Sequence, residues 1–195
     1  GSDSAFYATH NGAEKVNIRA NGSATFAADA SINSLTVGRG GNNQLFNTVV
    51  GEDALQANSS GAGNGAFGYR ALYSNTTGTR NFAFGNEALK ATTTGSYNNA
   101  FGRDALLSNT TGADNVANGY QALRTNTTGN RNTATGINSL YANTTGNDNT
   151  ANGANALESN TTGTSNVANG YKALFSNPTG GSNTAAGREA LRSNT

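Results

Sequence analysis

Cysteine, methionine and tryptophan are missing from this 195-residue chain, and proline occurs once. Without cysteine, disulfide frameworks, thiolate zinc sites and cysteine nucleophiles are excluded. Charge is also scarce: Asp, Glu, Lys and Arg make up 12% of the residues, about half the usual share of a soluble domain. The formal net charge of +1 is too small a basic excess for a nucleic-acid-binding footprint. No apolar run approaches the roughly 18 residues of a membrane span, so membrane insertion is not expected. Gly1-Ser2 reads as an expression scar, and the residues after it carry no signal-peptide pattern.

What remains is rich in Asn, Thr and Ser, with 26 Gly and only 34% apolar residues. Low hydrophobicity points toward disorder, but disordered chains also carry high net charge and abundant Pro, Glu and Lys. Turn-forming residues with little charge suit a solenoid whose coils turn often. Periodicity decides between the two. Gly51, Gly68, Gly85, Gly102, Gly119, Gly136, Gly153, Gly170 and Gly187 recur every 17 residues without a slip. An Asn lies four residues before each of them, from Asn47 to Asn183. Four residues after each comes Leu55, Leu72, Leu89, Leu106, Leu123, Leu140, Leu157, Leu174 or Leu191, preceded by Ala everywhere except Ser139. A second Gly, from Gly61 to Gly180, closes each unit except the last, usually after Asn-Thr-Thr. The unit is N-x-A-x-G-x-x-A-L-x-x-N-T-T-G-x-x, in nine ungapped copies over residues 47–195.

The N-x-A-x-G piece alternates, as in Asn132-Thr-Ala-Thr-Gly136, and predicts a short strand with Asn and Ala on one face. The A-L-x-x-N piece is consistent with a single helical turn or with a second short strand, and the sequence does not choose. Asn-Thr-Thr-Gly is a turn in which Gly is expected at positive φ. Each unit is then one coil, stacked at roughly 4.8 Å if strands pair in parallel, which makes nine coils a rod on the order of 40 Å long. Stacked Asn residues are expected to form amide ladders. Each coil offers one invariant large apolar residue, few for a self-sufficient core. The Leu column is therefore expected to be buried between several chains, with three suiting a narrow seam.

Residues 3–46 do not follow the repeat. Ala5–Thr9, Lys15–Arg19, Ser23–Ala28 and Ser34–Gly38 read as short strands, with Asn11-Gly12 and Asn21-Gly22 as hairpin turns. The order Gly12-Ala-Glu-Lys-Val-Asn-Ile-Arg19, then Leu35-Thr-Val-Gly-Arg-Gly-Gly41, then the N-T-A-x-G…A-L-x-x-N-T-T-G repeats resembles distal tail-fibre shafts of tailed bacteriophages. The likeness is to the type that carries a C-terminal intramolecular-chaperone peptidase domain, and it covers essentially the whole chain. The bare repeat is less specific, since related phrases occur in bacterial surface proteins. The N-x-A-x-G phrase is similar, more loosely, to the heads of trimeric autotransporter adhesins. The resemblance implies a homotrimeric, elongated β-rich fibre that positions or performs binding to a host-surface glycan or protein receptor. It also implies an extracellular place on the virion, or alternatively on a bacterial cell surface. No chaperone domain follows Thr195, where the repeat stops mid-unit, so the chain reads as an excised fragment.

Chemistry finds little support. His10 is the only histidine, and a lone His in a polar strand is more often a surface residue than a ligand or base. Asp114, Arg131 and Asp148 share one repeat position in consecutive coils and read as a solvated charge ladder rather than a calcium site. Glu52-Asp53 is the adjacent carboxylate pair a tailspike glycosidase would need, but neighbours on a strand point to opposite faces. Asn58, Asn75, Asn109, Asn126, Asn143 and Asn160 match the N-x-[ST] sequon, which the Asn-Thr-Thr turn explains. Tyr69, Tyr120 and Tyr171 follow the first Gly, and Tyr73, Tyr141 and Phe175 follow the Leu. Exposed, such rings are candidates for glycan contact; inward, they fill a sparse core, and packing in the core or between chains is favoured. The Thr76/Thr77, Thr110/Thr111, Thr127/Thr128, Thr144/Thr145 and Thr161/Thr162 columns raise an ice-binding alternative, weakened because the neighbouring Gly makes them a turn.

The sequence thus predicts a mainly β, elongated repeat solenoid of 17-residue coils, parallel β-roll or β-helix-like, as an intertwined or parallel homotrimer. It predicts a non-catalytic fibre segment that spans distance and presents receptor binding, with no cofactor, metal or nucleic-acid partner. An ice-binding or bacterial surface-adhesin solenoid and a polysaccharide-degrading tailspike are the alternatives.

Overall fold

The computed structural model describes residues 4–10, 13–19, 24–26, 30–32, 35–40 and 44–194, with side chains from Val37 onward. The described elements are fourteen strands, with no helix among the described residues. β1 (Ser4–His10), β2 (Ala13–Arg19) and β3 (Ala24–Phe26) form an antiparallel sheet in chain order. His10 pairs with Ala13 and Ile18 with Ala24; the two expected Asn-Gly turns lie outside the described residues. β4 (Ala30–Ile32), β5 (Leu35–Gly38) and β6 (Thr48–Val50) are antiparallel neighbours at one edge of an eleven-stranded sheet. β4 has no counterpart in the sequence reading, because Ala30-Ser-Ile32 carries no alternation beyond three residues.

From β6 the sheet is parallel. β7 (Gly65–Phe67), β8 (Phe82–Phe84), β9 (Asn99–Phe101), β10 (Val116–Asn118), β11 (Thr133–Thr135), β12 (Thr150–Asn152), β13 (Val167–Asn169) and β14 (Thr184–Ala186) follow. Each pairs with the next at a shift of 17 residues, so Ala117 faces Ala100 on one side and Ala134 on the other. The chain is a β-solenoid of 17-residue coils. The central residue of each strand from β6 to β14 is buried and its neighbours are largely outward, as the alternation of N-x-A-x-G requires.

Strand residues are only three of each 17, so the rest of the coil must place its backbone groups elsewhere. The A-L-x-x-N segment is neither of the two forms that the sequence left open. It is a run of overlapping tight turns: Ala71 N–H donates to Gly68 O, Tyr73 to Arg70 O and Asn75 to Leu72 O. The amides between them donate to adjacent coils, Arg70 back to Glu52 O at 3.0 Å and Leu72 forward to Ala88 O at 3.0 Å. This alternation comes from positive φ at alternate residues, such as 52° at Arg70 and 53° at Leu72. An L-residue there costs roughly 1–2 kcal/mol, which the inter-coil bonds and Leu burial offset.

The expected Asn ladder is present, and it is double. Asn132 N–H donates to Asn115 Oδ1 at 3.0 Å, and its Nδ2 donates to the same oxygen at 3.1 Å and to Gly146 O at 2.8 Å. The backbone-to-Oδ1 bond recurs at every step from Asn47 to Asn183. The turn Asn forms the second column: Asn143 Nδ2 donates to Asn126 Oδ1 at 2.7 Å and to Gly146 O at 3.0 Å. The two columns thus converge on one glycine carbonyl per coil. That glycine is not at positive φ, contrary to expectation. It is glycine for space, since a Cβ on Gly146 would overlap Asn143 Oδ1 and the Gly163 carbonyl.

The Leu column corrects a second expectation. Leu55, Leu72, Leu89, Leu106, Leu123, Leu140, Leu157 and Leu174 are 0% exposed within one chain, and Leu191, with no described coil beyond it, is half exposed. One Leu, two small residues and two Asn amides fill each coil, so the polar ladders occupy the volume that larger apolar side chains would otherwise fill. The shortage of large apolar residues is therefore no evidence for partner chains.

One rung is broken. Thr92 stands where the second column has Asn; Asn109 reaches its hydroxyl at 3.4 Å, and Asn75 Oδ1 is buried without a partner. Thr92→Asn should restore the donor and raise stability by about 1 kcal/mol in urea denaturation. Asn115→Ala, which orphans the Asn132 N–H, should lower it by about 2–3 kcal/mol. Leu106→Ala should lower it by about 2–5 kcal/mol, while Asn118→Ala on the surface should stay within about 0.5 kcal/mol of the parent.

Candidate functional site

Each coil turns two sets of side chains outward. On the strands, the residues flanking the buried Ala form a flat face two columns wide. In the early coils this face is aromatic. Phe67, Phe84 and Phe101 share one column; Phe84 and Phe101 stack with centroids 4.9 Å apart and planes at 8°. Phe67 lies 5.7 Å from Phe84 and 5.5 Å from Phe82 in the second column. Gly65 makes room for Phe82, since a Cβ there would stand 2.6 Å from its ring. Phe82, Phe84 and Phe101 remain 44–55% exposed. From β10 onward the same columns hold Val116 and Asn118, Thr133 and Thr135, Thr150 and Asn152, Val167 and Asn169. One backbone accepts both sets, so the coil itself does not demand Phe.

The second surface follows the first glycine of the unit. Tyr69, Tyr120 and Tyr171 are 36%, 42% and 41% exposed, which removes them from the chain's own core. They recur every third coil, about 14 Å apart along the stack. Each stands beside a cation: Arg70 at 4.8 Å from the Tyr69 ring, Arg103 at 5.9 Å from Tyr120, Lys172 at 5.2 Å from Tyr171. The residues after Leu join them, with Arg70 at 5.5 Å from Tyr73, Arg124 at 5.9 Å from Tyr141 and Lys172 at 5.4 Å from Phe175. Such pairs lie within the reach of cation–π attraction. The side of the rod therefore offers partly exposed rings next to positive charge.

The other candidates are not drawn together. His10 lies in β1, and its side chain is outside the described residues. Glu52 and Asp53 sit in the turn after β6 rather than on a strand; Asp53 has φ 56°, accepts from Gln56 Nε2 at 3.2 Å and pairs with Arg70 Nε at 3.4 Å. Among the described residues no three His, Asp or Glu gather to hold a metal. The sequon asparagines are buried, with their amides committed to the ladder, so the turn explains them. In the Thr-Thr pairs, the first hydroxyl donates to the next coil, as Thr127 Oγ1 does to Thr144 O at 3.0 Å. Only the second Thr is exposed, the first being half-buried, so the pair does not form one flat hydroxyl array.

The exposed Phe column escaped the sequence reading as a surface, although Phe67, Phe84 and Phe101 stand at one repeat position. Periodicity identifies a column but not whether it faces in or out. Comparison with family models, curated proteins and solved structures gave no match.

In the Asp114–Arg131–Asp148 column, Arg131 turns wholly to one neighbour, donating to Asp148 Oδ1 at 2.6 Å through Nε and to Oδ2 at 2.9 Å. This bond lowers the Asp148 carboxyl below the ordinary Asp value, assisted by the guanidinium's charge. A lowered folded value means the pair stabilises the coil above the ordinary Asp range, and the contribution is lost as pH falls through the lowered value. Both side chains are well exposed, so the effect on stability is that of a surface pair. In an NMR titration Asp148 should ionise below the usual Asp range, and Arg131→Ala should return it there.

Proposed function

We propose that this chain is a structural and adhesive segment of a viral tail fibre, a non-catalytic homotrimeric shaft that spans distance and presents receptor binding on the outside of the virion. The motif order that resembles phage tail-fibre shafts supports the reading, and so does the solenoid architecture, whose length grows with coil number. The observation that carries the adhesive part is the row of exposed Tyr residues with cations beside them, spaced every third coil along one side. Tyr69, Tyr120 and Tyr171 are the proposed glycan contacts, and a host-surface glycan or protein receptor is the partner.

The basis for a trimer moves from the Leu column to the sheet face. The exposed Phe84 and Phe101, with the half-buried Phe67 stacked against Phe84, form an uncharged apolar strip in an otherwise polar chain, and such strips mark protein contacts. The proposed occupant is a second copy of this chain, because a flat column without charge matches its own copies around a shared axis. In later coils the same position holds Asn118, Thr135, Asn152 and Asn169.

Sedimentation velocity should give an elongated trimer; a folded monomer would defeat the trimeric shaft. The triple variant Phe67→Asn, Phe84→Asn, Phe101→Asn should dissociate it while circular dichroism stays unchanged. Clear thermal hysteresis in an ice-growth assay would transfer the chain to the ice-binding class. Release of oligosaccharides from host capsule would transfer it to the tailspikes.

A further inference from the structure

Positive charge on the solenoid is almost entirely spoken for until its last two described coils. Arg70, Lys90, Arg103 and Arg131 each pair with a carboxylate, at 3.4, 2.7, 3.7 and 2.6 Å. Arg80 and Arg124 donate to the hydroxyls of Tyr97 and Tyr141, at 2.5 and 3.4 Å. Lys172, Arg188 and Arg192 differ: none has a carboxylate within 4.0 Å among the described residues. All three gather around two rings. Lys172 lies 5.2 Å from Tyr171 and 5.4 Å from Phe175, bridging them; Arg188 lies 5.7 Å from Tyr171, and Arg192 5.8 Å from Phe175. Among the described residues of these two coils, the one side-chain carboxylate is that of the exposed Glu189. Glu158, one coil earlier in the Phe175 column, is engaged by the Asn155 amide.

From this cluster we infer a binding site for a carboxylated polysaccharide on the side of the last two coils, formed by Tyr171, Lys172, Phe175, Arg188 and Arg192. The inference rests on the glycan-contact reading above and narrows it to acidic sugars at one station. Rings offer an apolar face to the C–H side of a pyranose. Guanidinium groups bind a carboxylate in a two-pronged fashion, and an ammonium adds a compact charge. A cation already balanced by a neighbouring carboxylate has less to gain from a ligand, which sets this station apart from those at Tyr69 and Tyr120. Rings with cations also suit single-stranded nucleic acid. Such a strand needs a basic groove along several phosphates, however, and the whole chain has a net charge of +1.

The test is isothermal titration of the full chain with polygalacturonate and with α2,8-linked oligosialate, using neutral dextran, polyacrylate and oligothymidylate as comparisons. Binding to at least one of the two acidic glycans, weakened by added salt and absent for dextran, is expected. The double variant Arg188→Gln, Arg192→Gln and the single variant Tyr171→Ala should each lower that affinity at least tenfold. Arg131→Ala, outside the cluster, should leave it within about twofold, and circular dichroism should be the same throughout. No binding to either acidic glycan would overturn the site, as would equal affinity for polyacrylate, tighter binding of oligothymidylate, or affinity indifferent to the cluster variants. Sedimentation on the same samples separates the two claims: a trimer that binds no acidic glycan removes the site and leaves the shaft, while a monomer that binds leaves the site and removes the shaft.

Discussion

A side-chain amide standing in for a backbone partner is the interaction on which the rest of this solenoid depends. A short coil bends sharply between strands, and at each bend an N–H or a carbonyl loses its neighbour in the ladder. Just before each strand, the missing acceptor for the Asn N–H is Asn Oδ1 from the preceding coil, as Asn115 Oδ1 is for Asn132 N–H, and Asn115 Nδ2 in turn donates to the Gly129 carbonyl. Because a buried amide left without partners costs on the order of 1–3 kcal/mol, an Asn interior is stable only if nearly every amide is used. The double column achieves this by repetition, each amide completing its neighbour.

That arrangement sets the rest of the composition. Amides can stack only if coils approach at the inter-strand distance along their whole length. Close approach requires glycine where carbonyl columns meet the Asn side chains, and allows only small residues beside the Leu. Large apolar residues are few because there is no volume for them, and charge is scarce because most positions face either a neighbouring coil or the narrow outer columns. The interior therefore mixes Leu and Ala with Asn amides that are almost all hydrogen-bonded. Among the described Asn side chains, the buried Asn75 and the half-buried Asn138 each leave a buried oxygen unpartnered.

Much of this was legible in the sequence, and the reasons for the remainder are physical. The 17-residue period, the strand at N-x-A-x-G, its buried Ala and Asn, and the ladder all follow from alternation and stacking. The turn after Gly did not follow, because left-handed conformation is normally announced by Gly or Asn. Here it is taken by residues as ordinary as Leu72, Leu89 and Arg70, held by inter-coil bonds that no local propensity encodes. Assigning the Leu column to a seam between chains counts side-chain volume without the Asn amides. For Tyr69, Tyr120 and Tyr171 the same counting favours packing in the core or between chains over glycan contact, because a core assumed to be starved has to be filled. Once Leu, Ala and Asn are seen to close the coil by themselves, the aromatic columns belong outside.

The uniform register has a consequence for how such a chain changes over generations. Every stacking contact joins a residue to its equivalent or near-equivalent in the adjoining coil. Duplicating or deleting one whole unit leaves each contact chemically the same, and alters only the length of the rod, by about 4.8 Å. A single inserted residue would instead displace an Asn from its column and a Leu from its layer. Reach is thus a quantity that recombination between near-identical repeats can adjust in steps, with no new packing to invent. The sequence differences between coils lie mostly in the outward columns, so distance and surface chemistry are free to vary independently.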